Sequence, residues 1–438
     1  MKRFPGDFLC FILLSVSLLS ASDAPTPTPP QGMIYLPGGS YKPLYAKEVT
    51  SRIAPGCFLS EVPVTNAQFL TFVREHPTWQ RSKVTKEMAD ANYLRAWAGD
   101  LDLGPEAEKM SMAPVTNVSW FAARAYAEAY GQRLPTQDEW EFAARADATR
   151  ADASTDQRFL RKLLEWYAKP TVGVLPDVTT SEANVYGLRG LHGLVWEWVH
   201  DFNSTMIVGD SRGDDSLERK LFCGAGSLLA SDVSNYAAFM RYAFRSSLKG
   251  NYCIGSLGFR TAKSLHDDPP NATTSVAASP YALTSKWNSL NSKEVLLSSL
   301  AGKVRVVTMG FTSCRYACPR IVGDLQRIET ALGVDAARIG FVFISIDPNR
   351  DTIEKLKAFA TERKIDLANW DFLNGSAEGI RDLAVALDFK YQQVEQDFAH
   401  SNLIAVIDAK GRVVHHEEEI GADIKSSVEA IKTLLASP

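Results

Sequence analysis

The chain has 438 residues, 45% of them hydrophobic and 22% charged, and a formal net charge of −4. That length accommodates two or three domains, and mild acidity without a basic cluster excludes a nucleic-acid-binding role. Six cysteines in so long a chain do not make a disulfide scaffold.

Residues 1–24, MKRFPGDFLCFILLSVSLLSASDA, carry basic residues at the start, a short apolar core and small residues from Ser20 to Ala24. They read as a secretory signal peptide, or an N-terminal membrane anchor where cleavage fails. Cys10 lies inside the apolar core and not after a small-residue cleavage site, which argues against a lipoprotein. Residues 25–30 form a stiff Pro-rich tether, and no later segment is long and apolar enough to span a bilayer.

Residues 31–264 are rich in Trp and Gly, with short strands and helices at TNAQFLTFVREH and VSWFAARAYAEAYG. Gly131 supplies a C-cap to the second helix. RLPTQDEWEFAAR then starts another, with Thr136 as N-cap and Glu139 completing a capping box. This is a mixed α+β domain. Periodicity stops at SLHDDPPNATTSVAASP, so residues 265–280 read as a linker.

From residue 281 to 438, strand-like VRVVTMGF and IGFVFISID alternate with helical IEKLKAFATERK and AEGIRDLAVALDF, which predicts a compact α/β layer structure. Within it, VVTMGFTSCRYACPRIVGDLQRIE reads as strand, loop and helix, the helix opening near Pro319. Cys314 and Cys318 therefore sit at a helix N-terminus, where the macrodipole favours thiolate, the form that binds metal. Soft sulfur donors select Cu(I), and one imidazole added to them can also hold Cu(II). Taken alone, such a pair is equally the signature of a dithiol redox couple. His415 and His416, on a late strand before an acidic run, are weaker ligand candidates.

GFTSCRYACP, FVFISIDPNRDT and DFAHSNLIAVIDAKGR resemble the Sco/SenC family of copper chaperones. The resemblance implies a thioredoxin-like fold, assembly of cytochrome oxidase copper centres, and one copper held by Cys314, Cys318 and His400. Ala399 stands where the family often has Asp, which would loosen the orientation of the imidazole. In an oxidising exported compartment such as the periplasm, the two cysteines would need a thiol reductant protein before taking copper.

The first domain resembles the formylglycine-generating enzyme (sulfatase-modifying factor) family, related in fold to C-type lectins. The carriers are GMIYLPGGSY, VPVTNAQFLTFV, RLPTQDEWEFAAR, NVYGLRGLHGLVWEWVHDF and GSLGFR. Its catalytic members use two cysteines with Cu(I) and oxygen to oxidise a sulfatase cysteine. Leu228, Leu229, Ala230 and Tyr236, Ala237, Ala238 stand in those stretches here, so the resemblance implies a scaffold without its chemistry. Gly190 and Leu194 replace expected calcium ligands while Glu197 remains, which predicts at best weak calcium binding. His76, His192 and His200 have no facial-triad spacing. Cys57, Cys223 and Cys253 are an odd set that cannot all pair internally.

The combined expectation is an exported copper chaperone that delivers to a cuproenzyme such as cytochrome c oxidase through an N-terminal recognition domain. The alternatives are a thiol–disulfide oxidoreductase at Cys314 and Cys318, or a divergent formylglycine-generating oxidase acting on sulfatases.

Overall fold

A computed structural model of the chain describes residues 27–42, 51–169, 173–204, 236–265, 278–394, 397–418, 421 and 423–436. The expected signal peptide, most of the linker, Cys10, Cys223 and Leu228 to Ala230 lie outside the described residues.

In the first domain, β1 (Met33–Leu36), β4 (Cys57–Ser60) and β7 (Ala262–Ser264) form an antiparallel sheet with β4 central. Strands β2 (Gly39–Tyr41) and β3 (Arg52–Ala54) pair antiparallel, while β5 (Trp196–Trp198) and β6 (Leu257–Phe259) pair in parallel. The helices are α1 (Asn66–Glu75), α2 (Ala107–Ser111), α3 (Trp120–Ala129), α4 (Gln137–Ala144), α5 (Gln157–Tyr167) and α6 (Tyr236–Ser246).

Local sequence explains where these helices begin. Thr65 with Gln68, and Thr136 with Glu139, close reciprocal capping boxes at α1 and α4, and Ser119 caps α3. Gly131, at φ 63°, follows the end of α3 in a conformation that costs glycine nothing. The core is aromatic: Phe69, Phe72, Trp120, Trp198 and Phe259 are fully buried. Trp120 donates its indole N–H to Val199 O at 3.0 Å, and Trp198 donates to Val118 O at 2.9 Å, so the two largest side chains also tie their segments together.

The second domain is built on a seven-stranded sheet of order β16-β15-β10-β11-β12-β8-β9. Its strands are β8 (Lys286–Ser289), β9 (Glu294–Leu296), β10 (Val304–Gly310), β11 (Ile339–Ser345), β12 (Trp370–Gly375), β15 (Ile404–Ile407) and β16 (Val413–Glu417). A hairpin of β13 (Tyr391–Val394) and β14 (Asp397–His400) stands outside the sheet. The helices are α7 (Ala317–Leu332), α8 (Ile353–Glu362), α9 (Ala377–Ala386) and α10 (Lys425–Ala436). Strands β10, β11 and β12 run parallel. Every residue of β11 is buried, which is why IGFVFIS reads as an unbroken apolar run and not as an alternation.

The two domains are in direct contact. Arg124 on α3, almost wholly buried, pairs with Glu128 on its own helix and with Glu378 and Asp382 on α9. Lys249 pairs with Asp388 at 2.5 Å, Arg381 meets His200 Nε2 at 2.9 Å, and Val385 packs into the aromatic core of the first domain. The break at residues 265–280 reads in composition as a linker. Composition registers the break in periodicity, but the docking contacts are made by α3 and α9, far from it in sequence.

Candidate metal centre

Strands β10 and β11 end side by side, Gly310 opposite Ser345, and the loops leaving their C-terminal ends build the site. Crevices beyond the carboxyl ends of parallel strands are where α/β sheets place ligands. From β10 the chain passes through Thr312 and Cys314 into α7, whose first turn holds Cys318 and Pro319. From β11 it passes through Asp347 to Asp351, a wholly buried residue. Asp351 accepts from the Thr312 amide at 2.9 Å, from the Thr312 hydroxyl, and from the Ser345 hydroxyl at 2.6 Å. One carboxylate thus fixes the start of the cysteine loop to the end of β11.

The third residue arrives from a distant segment. His400 closes β14 and is 1% exposed, its ring edge-on to Phe311 at 5.7 Å and tilted against Phe389 at 5.8 Å. Its Nδ1 lies 2.8 Å from Ser401 O, so Nδ1 carries an N–H, and the ring is held with Nε2 facing Cys318 Sγ, 3.7 Å away. The orienting partner that Ala399 does not supply is therefore a backbone carbonyl. The ligand atoms of Cys314, Cys318 and His400 lie within 4.8 Å of one another, the only such grouping of three among the described residues.

The two thiols differ in character. A hydrogen bond from Cys318 is the largest of the influences that hold Cys314 down to about 3, with smaller help from His400 and the amides of Cys318 and Tyr316. Cys318 is pushed well up, first by burial and then by the neighbouring Cys314 thiolate. The helix start was expected to favour thiolate at both. Only Cys314, the less buried at 7% exposure against 1%, is held down, by its hydrogen bonds, while deeper burial and then the adjacent Cys314 thiolate push Cys318 up. Gly310 permits the close packing, since a Cβ there would lie 2.8 Å from Cys318 Sγ. Gly310 and Asp351 lie within the GFTSCRYACP and FVFISIDPNRDT segments, but nothing in the sequence alone marks the close packing of the one or the tethering role of the other.

The weaker candidates lie elsewhere. His415 Nε2 meets Ser427 Oγ at 3.1 Å, apart from the Cys314 site. His192, partly buried, places Nε2 2.7 Å from Ala144 O, and desolvation pushes it down to about 3; His200 meets Arg381. Both oxygens of Glu197 are taken by Arg260, at 2.8 and 2.9 Å, and by the Trp140 indole at 2.7 Å. A guanidinium stands where the family resemblance had suggested a cation. Cys57 and Cys253 are free and buried, and burial pushes both thiols up. Ala237 and Ala238 lie buried on α6, while Arg241 and Arg245 of that helix pair with the buried Glu141.

Comparison with known proteins matches two families in succession along the chain. Residues 20–265 match the sulfatase-modifying factor enzyme 1-like domain, and residues 271–436 match SCO1/SenC. The formylglycine-generating enzyme of Streptomyces coelicolor is 30% identical over 305 residues, covering 55% of this chain and 91% of that one. The mouse protein named inactive C-alpha-formylglycine-generating enzyme 2 is 28% identical over 300 residues, covering 58% and 91%. The SCO1 protein homolog of Bacillus subtilis is 27% identical over 150 residues, covering 32% and 78%.

Proposed function

Because the chain belongs to the sulfatase-modifying factor enzyme 1-like family, with a SCO1/SenC domain fused behind it, we propose that it is a copper chaperone with an N-terminal recognition domain. The observation that carries this reading is the buried grouping of Cys314, Cys318 and His400. Two sulfurs and one imidazole fit copper: the thiolates suit Cu(I), and His400 Nε2 adds the donor needed for Cu(II).

The chain's own residues divide the work. Cys314, already ionised and the more exposed thiol, meets the incoming ion, and Cys318 releases its proton as its sulfur becomes a ligand. His400 completes the set with its ring already held by Ser401 O. Phe311, Phe389 and Phe398 form the apolar wall behind it. A thiol reductant protein would keep the pair open, since a Cys314–Cys318 disulfide has no thiolate to offer.

In this account the protein is exported, and its recipient is a cuproenzyme such as cytochrome c oxidase. The composition of residues 1–24 supports export, and among the described residues no helix is long and apolar enough to cross a membrane. The first domain is non-catalytic: Tyr236, Ala237 and Ala238 provide no thiol, and its described cysteines are buried and neutral. A relative whose own name calls it inactive fits this reading.

A second reading, a thiol–disulfide oxidoreductase, is favoured by the contrast between an ionised Cys314 and a protonated Cys318, the division between an attacking and a resolving thiol. Metal separates the two. A chaperone retains one copper per reduced chain through three ligands, whereas an oxidoreductase turns over disulfides without it.

A further inference from the structure

We propose that the mouth of the Cys314 site, formed by Ser313, Arg315, Tyr316 and Arg320, is a docking surface for the acidic face of a partner protein that must reach Cys314. This rests on the reading of Cys314 as the working sulfur.

The direction of approach follows from burial. Cys318 and His400 are each 1% exposed, and the wall behind them is closed by Phe311, Phe389 and Phe398. Cys314 is the sulfur nearest solvent, and the residues exposed around it are Ser313, Arg315, Tyr316 and Arg320. Ser313, Arg315, Tyr316 and Arg320 are exposed even though described residues of the first domain pack against α9 of the second. A partner therefore meets those four residues first.

Their chemistry selects the partner. Tyr316 is 58% exposed, a large amphipathic ring whose side chain makes no hydrogen bond or ring contact among the described residues. Among the described residues, neither Arg315 nor Arg320 takes part in an ion pair, whereas Arg350 nearby is matched to Asp347, and Asp351 beneath is wholly buried and bound to Thr312 and Ser345. Two uncompensated guanidiniums flanking an exposed Tyr suit a surface rich in carboxylates: bidentate pairing gives register, and the ring supplies contact area. The charge would also raise the encounter rate in a salt-dependent way.

The test uses the reduced, metal-free full chain and two symmetric peptide disulfides, one with glutamates around its cysteine and one with lysines. Cys314 thiolate attacks the peptide disulfide and expels one peptide thiolate. Cys318 then loses its proton and displaces the second, closing the Cys314–Cys318 disulfide and leaving two peptide thiols. The ratio of the acidic-peptide to the basic-peptide rate should fall about tenfold in the R315Q/R320Q double variant, and similarly in wild type at high salt. The R315E/R320E variant should favour the basic peptide. A ratio unchanged by both variants would overturn the proposal. So would binding of wild type, but not of R315Q/R320Q, to phosphatidylglycerol vesicles without any peptide preference, which would assign the patch to lipid. Copper titration of the same samples keeps the two readings apart. Charge preference without Cu(I) binding removes the chaperone and leaves the surface; Cu(I) binding without charge preference removes the surface alone.

Discussion

Cys318 Sγ lies 3.7 Å from His400 Nε2 although 82 residues of chain separate them, and the contact exists because three segments converge beyond the ends of β10 and β11. The β13–β14 hairpin delivers His400, the start of α7 delivers Cys318, and Asp351 ties the Cys314 loop to β11.

Asp351 is thus a positioning residue whose loss should be felt at the proposed copper site without removing Cys314, Cys318 or His400. Asp351→Asn keeps the size of the side chain but replaces one accepting oxygen with a donor that faces Thr312 or Ser345. The expected cost is about 2 kcal/mol of stability, read by urea unfolding, together with weaker Cu(I) retention. A variant with wild-type stability and copper affinity would show that the loop holds itself.

The domain contact predicts a coupled unfolding. Arg124→Ala leaves Asp382 and Glu378 in a buried interface without their cation, at a cost of about 3 to 5 kcal/mol. Calorimetry should show a single transition in wild type split into two, and proteolysis near the 265–280 segment should accelerate. Unchanged calorimetry and proteolysis would mean that the contact carries no load.

Glu141 gives the first domain a defined acid sensitivity. Burial opposes its ionisation, but Arg241 and Arg245 outweigh that and hold the carboxyl at about 2, against an ordinary value of 4.5. A group depressed on folding contributes stability that is present above the unfolded value and lost as pH falls through the folded one. The loss, about 3 kcal/mol, should therefore fall between pH 4.5 and 2. Glu141→Gln should start less stable at neutral pH and lack that part of the slope. An equal slope in the variant would contradict the assignment.

The chain legibly divides into an α+β and an α/β domain, because capping boxes, the Gly131 stop and the apolar runs of β10 and β11 are local signals. The grouping of Cys314, Cys318 and His400 was readable only through family resemblance, since no local pattern connects His400 to Cys314. Three features were not legible. The unequal thiols depend on burial depth, the occupation of Glu197 by Arg260 depends on a contact 63 residues apart, and the α3–α9 docking depends on packing between domains.

If the first domain is a scaffold without its chemistry, the full chain with copper, reductant and oxygen should leave a sulfatase-type cysteine peptide unconverted. Mass spectrometry of the peptide reads this directly. Appearance of the aldehyde product would mean that a residue such as Cys223 or Cys253 has taken over catalysis, and the recognition role would have to be abandoned.

The central claim is most directly tested by titrating the reduced full chain with Cu(I) against a competing chelator, in wild type, in the Cys314→Ser/Cys318→Ser variant, in His400→Ala, and in wild type oxidised to the disulfide. The account predicts one tightly held Cu(I) per reduced wild-type chain, none in the double variant or the disulfide form, and a His400→Ala protein that keeps Cu(I) but loses most of its Cu(II) affinity. One copper held with undiminished affinity by the double variant would place the metal elsewhere and contradict the account.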